Sequence, residues 1–158
     1  MDPKVKRQVL RTYTYGLYVV MCQDGDEVNG FTANWLTQVS FDPPLVAVSV
    51  ENETKSLPMI KNSRKFTINT LRSGQRDLAG HMGQSALKKP DKLNGISYTA
   101  RPDGVIIFDE GLAWTACEAR EFIPAGDSTL VVAEVVDAGM VADGPSLTMA
   151  EAGFRHAG

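Results

Sequence analysis

The chain has 158 residues, 43% of them apolar and 22% charged, an ordinary globular balance that can bury a core without metal or disulfide staples. Its net charge of −3 argues against a binder of phosphate backbones, which carries a basic surplus, so no nucleic acid partner is expected. No run of about 18 apolar residues occurs, so no membrane span is expected either.

The opening stretch MDPKVKRQVL is charged and lacks an apolar signal core, which reads as mature cytoplasmic protein. Cys22 and Cys117 stand alone and read as two thiols rather than a bridge. No composition break divides the chain, so a single domain over 1–158 is expected.

Residues 3–12 read as a short helix with Val5, Val9 and Leu10 on one side. Residues 15–22 are rich in β-branched and aromatic residues, and Asp24-Gly25 and Asn29-Gly30 are turn signals, so a hairpin follows. The stretch NGFTANWLTQVSFDPPLVAVSV at 29–50 then crowds Thr32, Asn34, Thr37, Gln38 and Ser40 around Trp35, Leu36 and Phe41. Its part 32–37 reads as a polar loop. Residues 44–51 form a strand buried on both faces, with pairing starting after Pro43 and Pro44, which lack amide donors. Residues 51–63 read as a turn and a short helix. Thr54 is its N-cap, Leu57 and Ile60 face the core, and Pro58 is tolerated only near the first turn.

A strand over 65–71 follows, then a helix capped by Ser73 that runs to Met82 with Leu78 and Met82 one turn apart. Residues 83–95 are a polar loop. The last third reads as strands at 96–100, 105–108, 112–123 and 129–141, separated by Asp103-Gly104, Glu110-Gly111 and Ala125-Gly126-Asp127. The order is mainly β with short helices near the middle. Closely spaced antiparallel strands of this kind favour a closed barrel, which removes exposed edges.

Several chemistries lack their motifs. There is no GxGxxG, no GxxxxGK[ST] and no GxSxG. The only histidines are His81 and His156, and with two distant cysteines they argue against a zinc site. His81 reads as a helix-end residue and His156 as a solvated one.

The 29–50 stretch resembles the signature of the flavin reductase-like family, whose fold is the FMN-binding split β-barrel. The matching positions are Gly30, Thr32, Ala33, Asn34, Thr37, Ser40, Asp42, Pro43 and Pro44. SRKFTINTLRSGQRDLAGHM resembles the family's next segment at Phe66, Ile68, Asn69, Leu71, Gln75, Leu78 and Ala79, and CEAREFIPAGDSTLVVAEV resembles its C-terminal hairpin. The similarity runs over roughly residues 10–140.

The resemblance implies a homodimer that binds FMN, or FAD, and is reduced by NADH or NADPH. It implies hydride transfer to flavin N5 and a monooxygenase or other acceptor for the electrons. Its candidate cofactor-binding residues are Thr32, Ala33, Asn34, Trp35, Leu36, Thr37, Ser49, Asn52, Thr54, Lys55, Ser56 and Asn69, with no metal ligand and no assigned catalytic residue. The residues themselves suit that reading. An isoalloxazine ring needs an aromatic slot and nearby donors and acceptors, which the 32–37 segment supplies. Thr54, Lys55 and Ser56 lie at a helix start, where free amides favour an anion.

Blander readings stay open beside these. Thr54 is also a simple cap and Lys55 a solvated charge; Trp35 is also a core aromatic; Asn69 also satisfies a neighbouring loop; Asp42 fixes a turn. One position departs from the family. Where members often carry histidine after Gly-Asp, this chain has Gly126-Asp127-Ser128, and serine carries no charge at neutral pH. That departure favours a second reading, a flavoredoxin-like electron-transfer protein with little NAD(P)H activity. A third is a flavin-free split-barrel binding module.

Overall fold

The structure is a computed structural model and describes residues 1–156. In chain order the elements are α1 (Pro3–Leu10), β1 (Tyr18–Asp24), β2 (Glu27–Ala33), β3 (Leu36–Ser40), β4 (Leu45–Glu51), α2 (Ser56–Ser63), β5 (Lys65–Thr70), α3 (Arg76–Met82), β6 (Tyr98–Ala100), β7 (Ile106–Phe108), β8 (Ala113–Ala125), β9 (Ser128–Met140) and α4 (Met149–Ala152). Seven strands form one sheet in the order β2-β1-β5-β8-β9-β4-β3, and β6 and β7 form a separate hairpin. Every pairing is antiparallel. The mainly β architecture with short helices matches the expectation.

The sheet is strongly rolled. β2 and β4 are five strand spacings apart in the order, so a flat sheet would separate them by about 24 Å. Instead Ala33 of β2 and Val46, Val48 and Val50 of β4 share one buried cluster with Val20, Phe66, Ile68 and Val131. Leu57, Met59 and Ile60 of α2 join the same cluster. Pro58 falls within the first turn of that helix, where its missing amide costs no intrahelical bond. The hydrogen-bonded order still has two ends, β2 and β3, so the sheet is not closed as expected. Residues 34 and 35 bridge those two strands, and Ser49 N donates to Trp35 O at 3.0 Å.

A second apolar layer covers the outside of β1. Its even residues Val20 and Cys22 face the rolled interior, and Val19 and Met21 face a second cluster with Leu71, Ala79, Met82, Ile106, Phe108 and Leu147. The outer face of β5 is polar for a reason that pattern alone did not show. Thr67 Oγ1 accepts from Ile106 N at 3.0 Å, and Asn69 accepts from Phe108 N at 2.9 Å and donates to Ile106 O at 3.0 Å. These side chains stand in for a ladder and dock β7 across the sheet.

Some boundaries differ from the sequence reading. Asn29-Gly30 lies inside β2 rather than at a turn; the turn is at Gly25, whose φ is 60°. Gly30 is small because of packing: a Cβ there would come within 2.9 Å of Val20 O. Residues 36–40 form β3 instead of belonging to a loop. Leu36 pairs with Val48, and Thr37 and Gln38 are exposed at the sheet's edge. α3 begins two residues later than expected, because Ser73 Oγ donates to Glu151 Oε1 at 2.7 Å rather than capping the helix. In α1, Val5 and Val9 are each 52% exposed and Leu10 is half-buried, so the expected apolar side is only partly covered. Cys22 and Cys117 are both free and buried.

Asn69→Leu is expected to lower the unfolding free energy in urea by about 2–4 kcal/mol, because two buried backbone groups lose their partner. Thr37→Ala, at an exposed hydroxyl, should change it by less than about 0.5 kcal/mol. An Asn69→Leu protein as stable as the parent would show that this side chain does not hold β7.

Candidate functional site

A cleft of about 470 Å³ opens where β2 and β4 face each other across the unclosed side of the sheet. Phe31, Thr32 and Ala33 come from β2, Asn34 and Trp35 from the link to β3, and Ser49 and Glu51 from β4. Glu53, Thr54, Lys55 and Ser56 form one end; the far wall is α3 with residues 83–86, and Phe154, Arg155 and His156 close the mouth. Much of the lining is small: Ala33, Ser49, Gly80, Gly83, Ser85 and Ala86 let a planar ligand approach the backbone closely.

The end at residues 53–56 presents the start of α2 to the cleft. The amides of the first turn of α2 have no intrahelical acceptor, and the helix dipole points its positive end there. The N-cap position of α2 is Lys55 rather than Thr54; Thr54 stands one residue before it, where its Oγ1 donates to Glu51 O at 2.9 Å and accepts from Leu57 N at 3.4 Å. Lys55 is ion-paired with Glu27 of β2. Ser56 is buried, and its hydroxyl accepts from Asn29 Nδ2 at 2.9 Å. Among the described residues, no cluster of histidine, cysteine or carboxylate side chains could hold a metal ion.

The walls are tied to one another. Thr32 Oγ1 donates to Ala79 O at 2.5 Å and joins β2 to α3. Lys92 is 2% exposed; its Nζ donates to Met82 O at 3.1 Å and Gln84 O at 2.7 Å and fixes the wall after α3. Burial pushes its ammonium down to about 8. His81 lies at the end of α3, as expected, and its Nε2 contacts Lys92 O at 2.5 Å. The two thiols take no part: burial pushes Cys22 up to about 11 and Cys117 up to about 12, and cysteine acts as a nucleophile only as the thiolate.

The chain after β9 reaches the cleft because residues 147–149 thread between two segments. Leu17 N donates to Leu147 O at 3.0 Å and Leu147 N to Leu71 O at 2.8 Å. Thr148 caps α4, and Gly153, at φ 70°, turns the chain inward. Arg76 Nε donates to Ala152 O at 2.6 Å, and its guanidinium sits 5.3 Å from the centroid of the Phe154 ring. His156 then meets Trp35 with ring centroids 4.9 Å apart, and its Nε2 is 3.9 Å from Glu51 Oε1.

Of the candidate binding residues, Thr32, Ala33, Asn34, Trp35, Ser49, Thr54, Lys55 and Ser56 line the cleft. Leu36 packs on the rolled interior, Thr37 is exposed with its hydroxyl on Gln38 O, and Asn69 is spent on β7. Asn52 sits beside the site: it donates to Gly126 O at 3.3 Å and accepts from Thr129 Oγ1 at 2.8 Å, which braces the β8–β9 turn. Ser128 is 3% exposed, with its hydroxyl donating to Asp127 Oδ1 at 3.2 Å. Sequence reasoning missed Asn29, residues 83–86 and the Phe154–His156 segment. His156, expected to be solvated, remains half-exposed but lies at the mouth of the cleft. Thr148-x-x-Glu151 followed by Gly153 is a short-helix signal that could have located this return.

The chain matches the family model described as flavin reductase like domain over residues 10–158. It is 32% identical over 152 residues to the high molecular weight rubredoxin of Moorella thermoacetica, covering 95% of this chain but only 65% of that protein. It is 33% identical over 142 residues to an NADH-dependent flavin reductase of a Rhodococcus species, covering 85% of this chain and 78% of the relative. The solved structure of nitrilotriacetate monooxygenase component B from Mycobacterium thermoresistibile superposes with a TM-score of 0.83 at 26% identity, covering 93% of this chain and 82% of that one. The family match takes in every wall of the cleft, and the chain belongs to the flavin reductase like family.

Proposed function

We propose that this chain is an NAD(P)H-dependent flavin reductase that binds FMN, with FAD as the alternative, in the cleft between β2, β4 and α2. The observation that carries the reading is the polarity of the cleft. Residues 53–56 offer helix-start amides and an ammonium, and the rest of the lining offers Trp35, Phe31 and small-residue backbone. That is the layout of a phosphorylated ligand with a flat, partly apolar ring. The similarity to an NADH-dependent flavin reductase supports the same assignment.

A flavin held in this cleft would supply the redox chemistry, with NADH or NADPH as the hydride donor. The protein has little acid–base work to do. Trp35 and Phe31 form the apolar sides of the slot, and the backbone around Ala33 and Asn34 lies where donors would meet a polar ring edge. The first turn of α2 and Lys55 are the groups that would hold the flavin phosphate. The wall braced by Lys92 and the Thr32–Ala79 contact keep the slot from widening, which preserves ring-on-ring positioning.

The assembly we propose is a homodimer. Phe41 is 92% exposed and Val39 51% exposed at the end of the edge strand β3, an apolar edge that another chain could cover. The setting we propose is the cytoplasm, where NADH and NADPH are at hand, with an oxygenase component as the partner that uses the reduced flavin; the similarity to a monooxygenase component supports that partner. A flavoredoxin-like electron carrier remains the second reading, favoured by Ser128, whose hydroxyl is already committed to Asp127. The intact cleft speaks against a flavin-free module.

Lys55→Ala is expected to weaken FMN about tenfold to a hundredfold, as a charge-assisted contact to phosphate is worth roughly 1.5–3 kcal/mol. Riboflavin, which lacks the phosphate, should be nearly indifferent; equal weakening of both ligands would remove the phosphate from this end. Sedimentation at micromolar concentration should give twice the chain mass of 17.2 kDa. A monomer that still binds flavin would contradict the dimer.

A further inference from the structure

Glu27 and Asn29 are two residues apart on β2, so their side chains project from one face of the strand. Both are used on the same target, the first turn of α2. The Glu27 carboxylate pairs with the Lys55 ammonium, and Asn29 Nδ2 donates to Ser56 Oγ at 2.9 Å. Asn29 and Ser56 are buried, which makes that contact a fixed strut. The ion pair is different. The Lys55 side chain is 31% exposed and that of Glu27 55% exposed, so the pair is open to a competing anion.

The cation that faces an incoming phosphate is therefore already held by a carboxylate. Glu51 and Glu53 add two further carboxylates to the lining of the cleft. We propose that Glu27 competes with the flavin phosphate for Lys55 and thereby limits the affinity of the cleft for phosphorylated flavins. The proposal rests on the flavin reading of the cleft. A phosphate monoester brings a charge of about −1.5 to −2, so its arrival exchanges one ion pair for another rather than adding one to a free lysine. It also sets like charges on either side of one ammonium. Riboflavin leaves the Glu27–Lys55 pair untouched. A flavin held this way exchanges readily with solvent, which suits a chain that hands its reduced flavin to another protein.

The test is the dissociation constant of FMN and of riboflavin, by quenching of flavin fluorescence, for the parent, Glu27→Gln, Lys55→Ala and the double variant. Glu27→Gln should tighten FMN roughly threefold to tenfold, the range of one partly solvated charge acting on a dianion. Riboflavin should stay the same within about twofold. The gain for FMN should shrink in the Lys55→Ala background, because Glu27 acts through the lysine. The ratio of the two ligands is insensitive to a general loss of packing, so a purely structural role for Glu27 would not move it. FMN binding that is unchanged or weakened by Glu27→Gln overturns the proposal, as does equal tightening of riboflavin. If Lys55→Ala lowers FMN selectivity while Glu27→Gln does not raise it, the phosphate assignment stands and the competition alone fails. If Lys55→Ala leaves the FMN-to-riboflavin ratio unchanged, the phosphate assignment fails and the competition falls with it.

Discussion

The structure depends on one strand having no solvent face. β1 buries Val20 and Cys22 inside the rolled sheet and Val19 and Met21 beneath α3 and β7, and all four are fully buried. Each such side chain is worth about 1.5–3 kcal/mol when removed from water, so both faces must be covered. Covering the inner face rolls β4 round to meet β2. Covering the outer face brings α3 against the end of β2, where Thr32 and Ala79 join. The cleft is the space these two coverings leave between β2, β4 and α3. Its position follows from packing, before any polar group in it is considered.

Polar contacts then decide what the space can hold. Buried groups here are satisfied by design of the fold: among the described residues, no buried side-chain nitrogen or oxygen lacks a partner. Asn69, Thr67 and Lys92 spend their hydrogen bonds on backbone and fix the walls. The groups left near solvent, Glu53, Thr54 and Lys55 together with Trp35, are the ones that a ligand can engage. The charge balance in the cleft is close, since Lys55 and Arg155 face Glu51 and Glu53. Affinity for an anion there is set by how tightly the cations are already held, which gives the Glu27 pair its leverage.

Much of this was legible in the sequence, because each strand carries its own turn signals. Asp24-Gly25 and Gly126-Asp127 mark hairpin turns where they were expected. The 29–50 stretch marked the site, and the polar residues divided as geometry required: Thr32 and Asn34 line the cleft, whereas Thr37 and Gln38 lie on the exposed edge of β3. The short alternation of β3 was hidden by its polar composition. Asn69 looked like a ligand residue because asparagine is disfavoured in strands, yet its partner is β7, about forty residues on in the chain. The return of residues 154–156 was only half legible: Thr148-x-x-Glu151 and Gly153 mark the short helix, but where it docks depends on residues 147–149 threading between segments far apart in sequence. Local pattern reports periodicity and turns; it carries no record of which distant backbone a side chain will meet.

We propose that this cleft binds flavin and lets a pyridine nucleotide reduce it. An anaerobic titration of the FMN-loaded protein with NADH, and separately with NADPH, tests it directly by the loss of the oxidised-flavin absorbance. Bleaching is expected at one equivalent of at least one nucleotide, far faster than for free FMN under the same conditions. A protein that takes up no flavin, or whose flavin is bleached by neither nucleotide faster than FMN in solution, would contradict it.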